Sequence, residues 1–158
     1  MMSYTTLFEQ QSYNDALDYY METLSKDHLT VWDHVVLTAS NDDQALAYEV
    51  QIKHRQSKGL LPKNTKFAVI ADRDGKRIGS GGATFSVVRY IRENEETFKN
   101  KRILCIHSGG DSKRVPQYSA CGKLFSPVPR FCPTAGDLRF LMIMPASQSF
   151  GTRFMTIK

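Results

Sequence analysis

The chain has 158 residues, of which 41% are hydrophobic and 23% charged. That is the balance of one globular domain, large enough to bury roughly 70% of the surface its unfolded chain exposes, and not that of a disordered or membrane protein. The net charge is +5, no apolar run nears the ~20 residues a spanning helix needs, and the polar start Met1-Met2-Ser3-Tyr4-Thr5-Thr6 lacks the apolar centre of a signal peptide. The expectation is therefore a cytoplasmic protein with no membrane partner.

The first periodic stretch, 12–24, places Ala16, Leu17, Tyr20, Met21 and Leu24 at helical spacing, with Asn14 as N-cap, and predicts an opening amphipathic helix. Residues 32–39, from Trp32 through Val35, Val36 and Leu37 to Ala39, form a short β-branched, apolar run that predicts a buried strand. Ser40 then predicts a helix cap, with Asp43 three positions on; Ala45, Tyr48 and Ile52 carry the apolar face to a stop at Lys58-Gly59.

After the turn signal Leu61-Pro62-Lys63-Asn64, residues 66–71 read as a second strand of continuous apolar character, as in a parallel sheet covered on both faces. The glycine segment Gly79-Ser80-Gly81-Gly82-Ala83-Thr84 precedes a predicted helix whose face is Phe85, Val88 and Ile91, ending near Asn94. A third strand, 102–107, runs directly into Ser108-Gly109-Gly110. Three strand and helix alternations predict an α/β fold with a parallel sheet, helices on both sides, and ligands at the carboxyl ends of the strands. Repeats and low-complexity tracts are absent from the sequence.

Two glycine-rich segments fall where such a sheet binds ligands. In the first, the backbone N–H groups around Gly79, Ser80, Gly81 and Gly82 could cradle a phosphate at a helix N-terminus, although an ordinary turn into a helix is an equal reading. The second is richer: Gly109-Gly110 leaves a predicted buried strand, and Arg114 and then Gly122-Lys123 follow. Between residues 99 and 130 the cations Lys99, Lys101, Arg102, Lys113, Arg114, Lys123 and Arg130 face Asp111 alone. Glycines admit a polyphosphate close to the backbone, Arg114 can grip phosphate oxygens with two N–H groups, and Lys123 supplies a point charge. That is the equipment of nucleotidyl transfer, in which negative charge grows on the α-phosphate and the departing pyrophosphate. The aromatics among these cations, Tyr118 and Phe125, are not interleaved in the way base stacking would need, which argues against a nucleic-acid partner.

Several other chemistries are disfavoured. Gln117 stands five before Gly122 and Leu124 follows Lys123, so this is not a Walker A loop. No G-x-S-x-G elbow surrounds Ser108 or Ser112. Cys105, Cys121 and Cys132 form no C-x-x-C pair and are read as reduced thiols rather than disulfides or zinc ligands. His34 and His107 lie in strand stretches and read as structural histidines, His28 and His54 as surface residues.

Three ordered motifs together resemble the N-terminal region of the GDP-L-fucose pyrophosphorylase family, which also opens the bifunctional fucokinase/pyrophosphorylases. They are the run from Trp32 to Ala39, Arg77-Ile78-Gly79-Ser80-Gly81-Gly82-Ala83-Thr84, and Ile106-His107-Ser108-Gly109-Gly110 through Gly122-Lys123. The resemblance implies a partial nucleotidyltransferase (Rossmann-like) three-layer sandwich with a mostly parallel sheet. It implies GTP and a sugar 1-phosphate as partners, with Mg²⁺, the GMP of GTP passing to L-fucose 1-phosphate to give GDP-L-fucose and pyrophosphate. By position it makes Lys123 and Arg114 catalytic and lets Gly79, Ser80, Gly81, Gly82, Thr84, Gly109 and Gly110 bind the nucleotide. No acidic residue in the matching region has the spacing of a metal ligand, so that residue is expected outside this chain.

The expected organisation is an N-terminal helical segment over 1–30, a partial sugar-nucleotidyltransferase domain over 31–130, and a divergent tail over 131–158. From Phe131 onward neither caps nor alternation are evident, and the expectation is a truncated or frameshifted product with a non-native tail. An incomplete parallel sheet would favour self-association. A non-catalytic nucleotide-binding module and an inactive fragment stay open beside the enzyme.

Overall fold

The structure, a computed structural model, describes residues 4–26, 32–72, 76, 78–96, 99–107, 124 and 154–156. The elements in chain order are α1 (Tyr4–Ser25), β1 (His34–Ala39), α2 (Asp42–Ser57), β2 (Lys66–Ala71), α3 (Gly79–Asn94), β3 (Arg102–His107) and β4 (Phe154–Thr156). The sheet order is β2-β1-β3-β4. β1 pairs in parallel with both β2 and β3, and β4 runs antiparallel to β3 with Leu104 opposite Phe154.

The alternation of side chains along a strand divides the core in two. Val35, Leu37 and Ala39 of β1 join Leu104 and Ile106 of β3 beneath Tyr48 and Ile52 of α2, with Leu61 and Leu124 in the same cluster. Val36, Ile103 and Cys105 face the other way, against Val87 and Ile91 of α3. The central strand β1 is buried along its whole length, whereas β2 is only half-buried. The result is a partial Rossmann-like α/β fold: a three-layer arrangement in which both predicted crossovers, α2 and α3, cover opposite faces of a mostly parallel sheet.

β2 and β3 occupy the predicted spans, while four local expectations are corrected. α1 begins at Tyr4, so Asn14 lies within the helix and does not cap it. Of its expected apolar face, Tyr20 is buried and donates its hydroxyl to the Leu60 carbonyl at 2.7 Å, but Met21 is exposed. β1 starts at His34, not Trp32; just before it Asp33 bonds both flanking strands, its carboxylate accepting from the Arg102 amide at 2.7 Å and its carbonyl from the Lys66 amide at 2.9 Å.

The cap of α2 is Asn41 rather than Ser40. The Asn41 side chain accepts from the Gln44 amide at 2.8 Å, and Gln44 reaches back to accept from the Ser40 amide at 2.9 Å. Asp42 and Asp43 in the first turn complement the helix dipole. The other end stops as expected at Lys58-Gly59: Gly59 takes φ +67°, which lets the Leu60 amide bond Arg55 and the Gly59 amide bond Gln56, a Schellman closure. The fourth correction concerns α3, which starts at Gly79, so the glycine segment opens the helix and is not a loop before it; of its expected face Ile91 is buried but Phe85 is exposed, and Ala83 and Val87 are buried instead.

Candidate functional site at the switch point of the sheet

β1 leads through α2 to β2 on one side, and β2 leads through α3 past β1 to β3 on the other. The strand order therefore reverses between β1 and β3, and the crevice at their carboxyl ends is where sheets of this type bind ligands. Thr38 and His107 face each other there as register partners. Because α3 runs back across the sheet, its N-terminal turn lies at this same edge.

The His107 imidazole joins the three elements. Its Nδ1 lies 3.4 Å from Thr38 Oγ1, and its Nε2 lies 3.2 Å from Thr84 Oγ1 and 3.5 Å from Cys105 Sγ. Thr84 also donates its hydroxyl to the Ser80 carbonyl at 2.8 Å. Burial pushes the Cys105 thiol up to about 11, so it is a poor candidate for a nucleophile beside that histidine.

The first turn of α3 differs from that of α2 in having no side-chain cap at Ile78. Amides there precede the first intrahelical donor and have no helical partner. Gly79 adopts φ +71°, a conformation that favours glycine. At Gly82 an added Cβ would lie 2.8 Å from the Cβ of Ile78, so this glycine is required by packing. At Gly81 a Cβ would meet nothing within 4 Å, and the position is open to solvent. An uncapped helix start with an open glycine at a sheet's ligand edge has the geometry of an anion site.

Of the residues singled out from sequence, Gly79, Ser80, Gly81, Gly82 and Thr84 thus lie in the first two turns of α3, at the switch point. Gly109, Gly110, Arg114 and Lys123 lie outside the described residues. Their segment departs in sequence from His107, and Leu124, which follows Lys123, is buried in the α2-side core. Thr38 was not singled out, and His107 was read only as structural. The available signal was parity: residues 36 and 38 alternate with 35 and 37 along β1, but only strand register places Thr38 opposite His107.

The opposite end of the sheet is built differently. Glu95, just past α3, is paired with the buried His34 at 3.1 Å, is hydrogen-bonded to Lys66, and lies 3.9 Å from Lys101. One carboxylate thereby ties the amino ends of β1 and β2 to the turn before β3. The Lys66 hydrogen bond first, then the surrounding cations, hold its carboxyl below the ordinary range against the effect of burial. Burial lowers the His34 imidazole below its ordinary value, outweighing the attraction of Glu95. A neutral His34 donating from Nε2 satisfies both observations.

Among the described residues no group of three His, Cys, Asp or Glu side chains could hold a metal ion. These residues do not supply a donor set for Mg²⁺. Nor is any helix among them long and apolar enough to cross a membrane.

The fold thus defines a partial Rossmann-like domain whose candidate ligand edge is the switch point. The family model described as a fucose pyrophosphorylase domain matches residues 95–148, a stretch that takes in β3, the basic glycine segment and part of the tail expected to diverge. The chain is 34% identical over 119 residues to the bifunctional fucokinase/GDP-fucose pyrophosphorylase of Arabidopsis thaliana, covering 62% of this chain and 11% of that protein. It is 36% identical over 99 residues to the fucose-1-phosphate guanylyltransferase of Mus musculus, covering 62% of this chain and 17% of that protein. The L-fucokinase/L-fucose-1-P guanylyltransferase of Bacteroides fragilis is 39% identical over 75 residues, 42% of this chain and 8% of that protein.

The chain is therefore similar to the fucose pyrophosphorylases, as its three motifs led us to expect, and spans less than a fifth of the length of these curated relatives. No solved structure matches it.

Proposed function

We propose that the chain is part of a nucleotidyltransferase domain that binds GTP and passes its GMP to L-fucose 1-phosphate, giving GDP-L-fucose and pyrophosphate. The observation that carries this reading is the uncapped glycine turn of α3 at the switch point, beside the strand that feeds the basic segment 108–123. The relatives that share this region include two fucose-1-phosphate guanylyltransferases by name.

In this reading a sugar-phosphate oxygen attacks the α-phosphorus and the pyrophosphate departs. Arg114 grips the phosphate oxygens and Lys123 offsets the charge that grows in the transition state. The amides of Gly79, Ser80 and Gly81 receive further phosphate oxygens, and Gly109 and Gly110 shape the pocket. Mg²⁺ belongs to this reading by resemblance alone, and no step is assigned to it here. We place the protein in the cytoplasm with the same reading, which suits the free, buried Cys105.

Calorimetric titration of the chain with GTP in Mg²⁺ buffer tests this. Wild type should bind, and Lys123→Ala and Arg114→Ala should each bind at least about tenfold more weakly, as expected for a lost charge-assisted contact. Equal binding by all three would remove the two roles. A second reading is a non-catalytic nucleotide-binding module. It predicts GTP binding without pyrophosphate release when fucose 1-phosphate is added.

A further inference from the structure

We infer that β2 is the docking edge for a second copy of this chain, the two β2 strands pairing antiparallel about a two-fold axis at Val69, with Lys66 of each opposite Asp72 of the other. The inference does not rest on the proposed nucleotide chemistry.

Backbone direction defines the edge. The Lys66 amide bonds the Asp33 carbonyl at 2.9 Å and the Asp72 amide bonds the Ala39 carbonyl at 2.8 Å, so residues 66, 68, 70 and 72 turn their backbone groups toward β1. Phe67, Val69 and Ala71 turn theirs the other way. There β2 ends the strand order, and no group among the described residues meets them. From Phe67 to Ala71 the strand contains no charge, proline or bulge, the devices that keep an edge from pairing, and every residue of this run is half-buried.

Charge selects the occupant and its direction. β2 begins at the exposed cation Lys66, which shares the Glu95 carboxylate with Lys101. It leads directly into Asp72, whose carboxylate has no ion-pair partner among the described residues. A second β2 laid antiparallel sets each of these ends against its opposite charge. Laid parallel in register, it would set Lys66 on Lys66 and Asp72 on Asp72, which is unfavourable. The antiparallel pairing also uses the same edge twice, so the assembly closes as a dimer.

The register follows from the same alternation. Only residues with outward backbone groups exchange hydrogen bonds across the edge, and an axis at Val69 sets Phe67 opposite Ala71 and Val69 opposite Val69. Lys66 falls opposite Asp72 in that register. A slip of one residue would face outward groups with inward ones, and a slip of two would part Lys66 from Asp72. The joined sheet places the two carboxyl-end crevices, between β1 and β3 of each copy, at opposite ends and clear of the interface.

Sedimentation velocity and amide hydrogen exchange on the full chain test this. Wild type should dimerise, and Asp72→Lys, which sets lysine against lysine at both ends, should raise the dimer dissociation constant at least about tenfold. Ala71→Pro should do the same, because it deletes an outward N–H that a single copy does not use, at an edge position where proline is tolerated. In wild type the amides of Phe67, Val69 and Ala71 should exchange slowly only at concentrations that populate the dimer. Unchanged dimer affinity in either variant would overturn the inference, as would a wild-type monomer at every concentration. Slow exchange of these three amides in the monomer would also overturn it, since another segment of the same chain would then cover the edge.

Discussion

His34 and Glu95 close the amino end of the sheet, and their ionisation makes stability depend on pH in a stated direction. Burial lowers the folded-state pKa of His34, so the unfolded chain takes up the proton first as acid is added. The His34 contribution is whole above the ordinary imidazole value of about 6.5 and is lost as pH falls below it. The Glu95 carboxyl is also held low, chiefly by Lys66, so its contribution is present above the ordinary carboxylate value of about 4.3 and is lost as pH falls through its lower folded value. Urea midpoints followed from about pH 8 to about pH 2 should decline in these two stages. His34→Gln should flatten the upper stage and leave the lower one. A midpoint that rises between about pH 7 and pH 5 would contradict the assignment.

At the scale of the element, the first turn of α3 separates two kinds of glycine. Gly82→Ala drives a Cβ to 2.8 Å from the Cβ of Ile78, an atom next to the backbone that cannot swing away. It should destabilise the chain by about 1–3 kcal/mol in urea denaturation, as overpacking does. Gly81→Ala meets no atom and places a better helix former in α3, so it should be neutral or stabilising by up to about 1 kcal/mol. If a phosphate approaches this turn, the same substitution should weaken GTP binding despite the gain in stability. Unchanged GTP affinity in Gly81→Ala would mean that the ligand does not approach the turn there.

The three predicted strands and the two helices between them could be read from hydrophobic runs and glycine stops because those signals are local. The caps and starts were less legible. Ser40 and Asn41 are both good N-caps, and the choice of Asn41 depends on the Gln44 side chain folding back over Ser40. At the start of β1, Asp33 accepts from the Arg102 amide, 69 positions away in sequence, a contact that no local pattern announces.

For the whole molecule, the consequential feature is the asymmetry of the sheet. β1 is buried throughout, and β3 is flanked by β1 and β4, whereas β2 ends the strand order among the described residues and is half-buried. An unpaired parallel edge offers its backbone groups to another strand. We therefore expect the chain to associate with itself as its concentration rises. Sedimentation velocity should show a mass that grows with concentration, and the thermal midpoint should rise with it. A monomer with a cooperative, concentration-independent melt would contradict this.

Sequence alone determined the α/β class, the alternation of elements, the clustering of glycine and positive charge after the third strand, and the likeness to fucose pyrophosphorylases. Each is carried by neighbouring residues or by ordered motifs, and needs no knowledge of which strands pair. Tertiary structure alone decided that the order reverses between β1 and β3, that the glycine segment is the first turn of α3, and that His107, Thr84 and Thr38 meet at one edge. Their contacts span 23 and 69 residues of chain, and such pairings arise from strand register and helix packing, which no local pattern encodes.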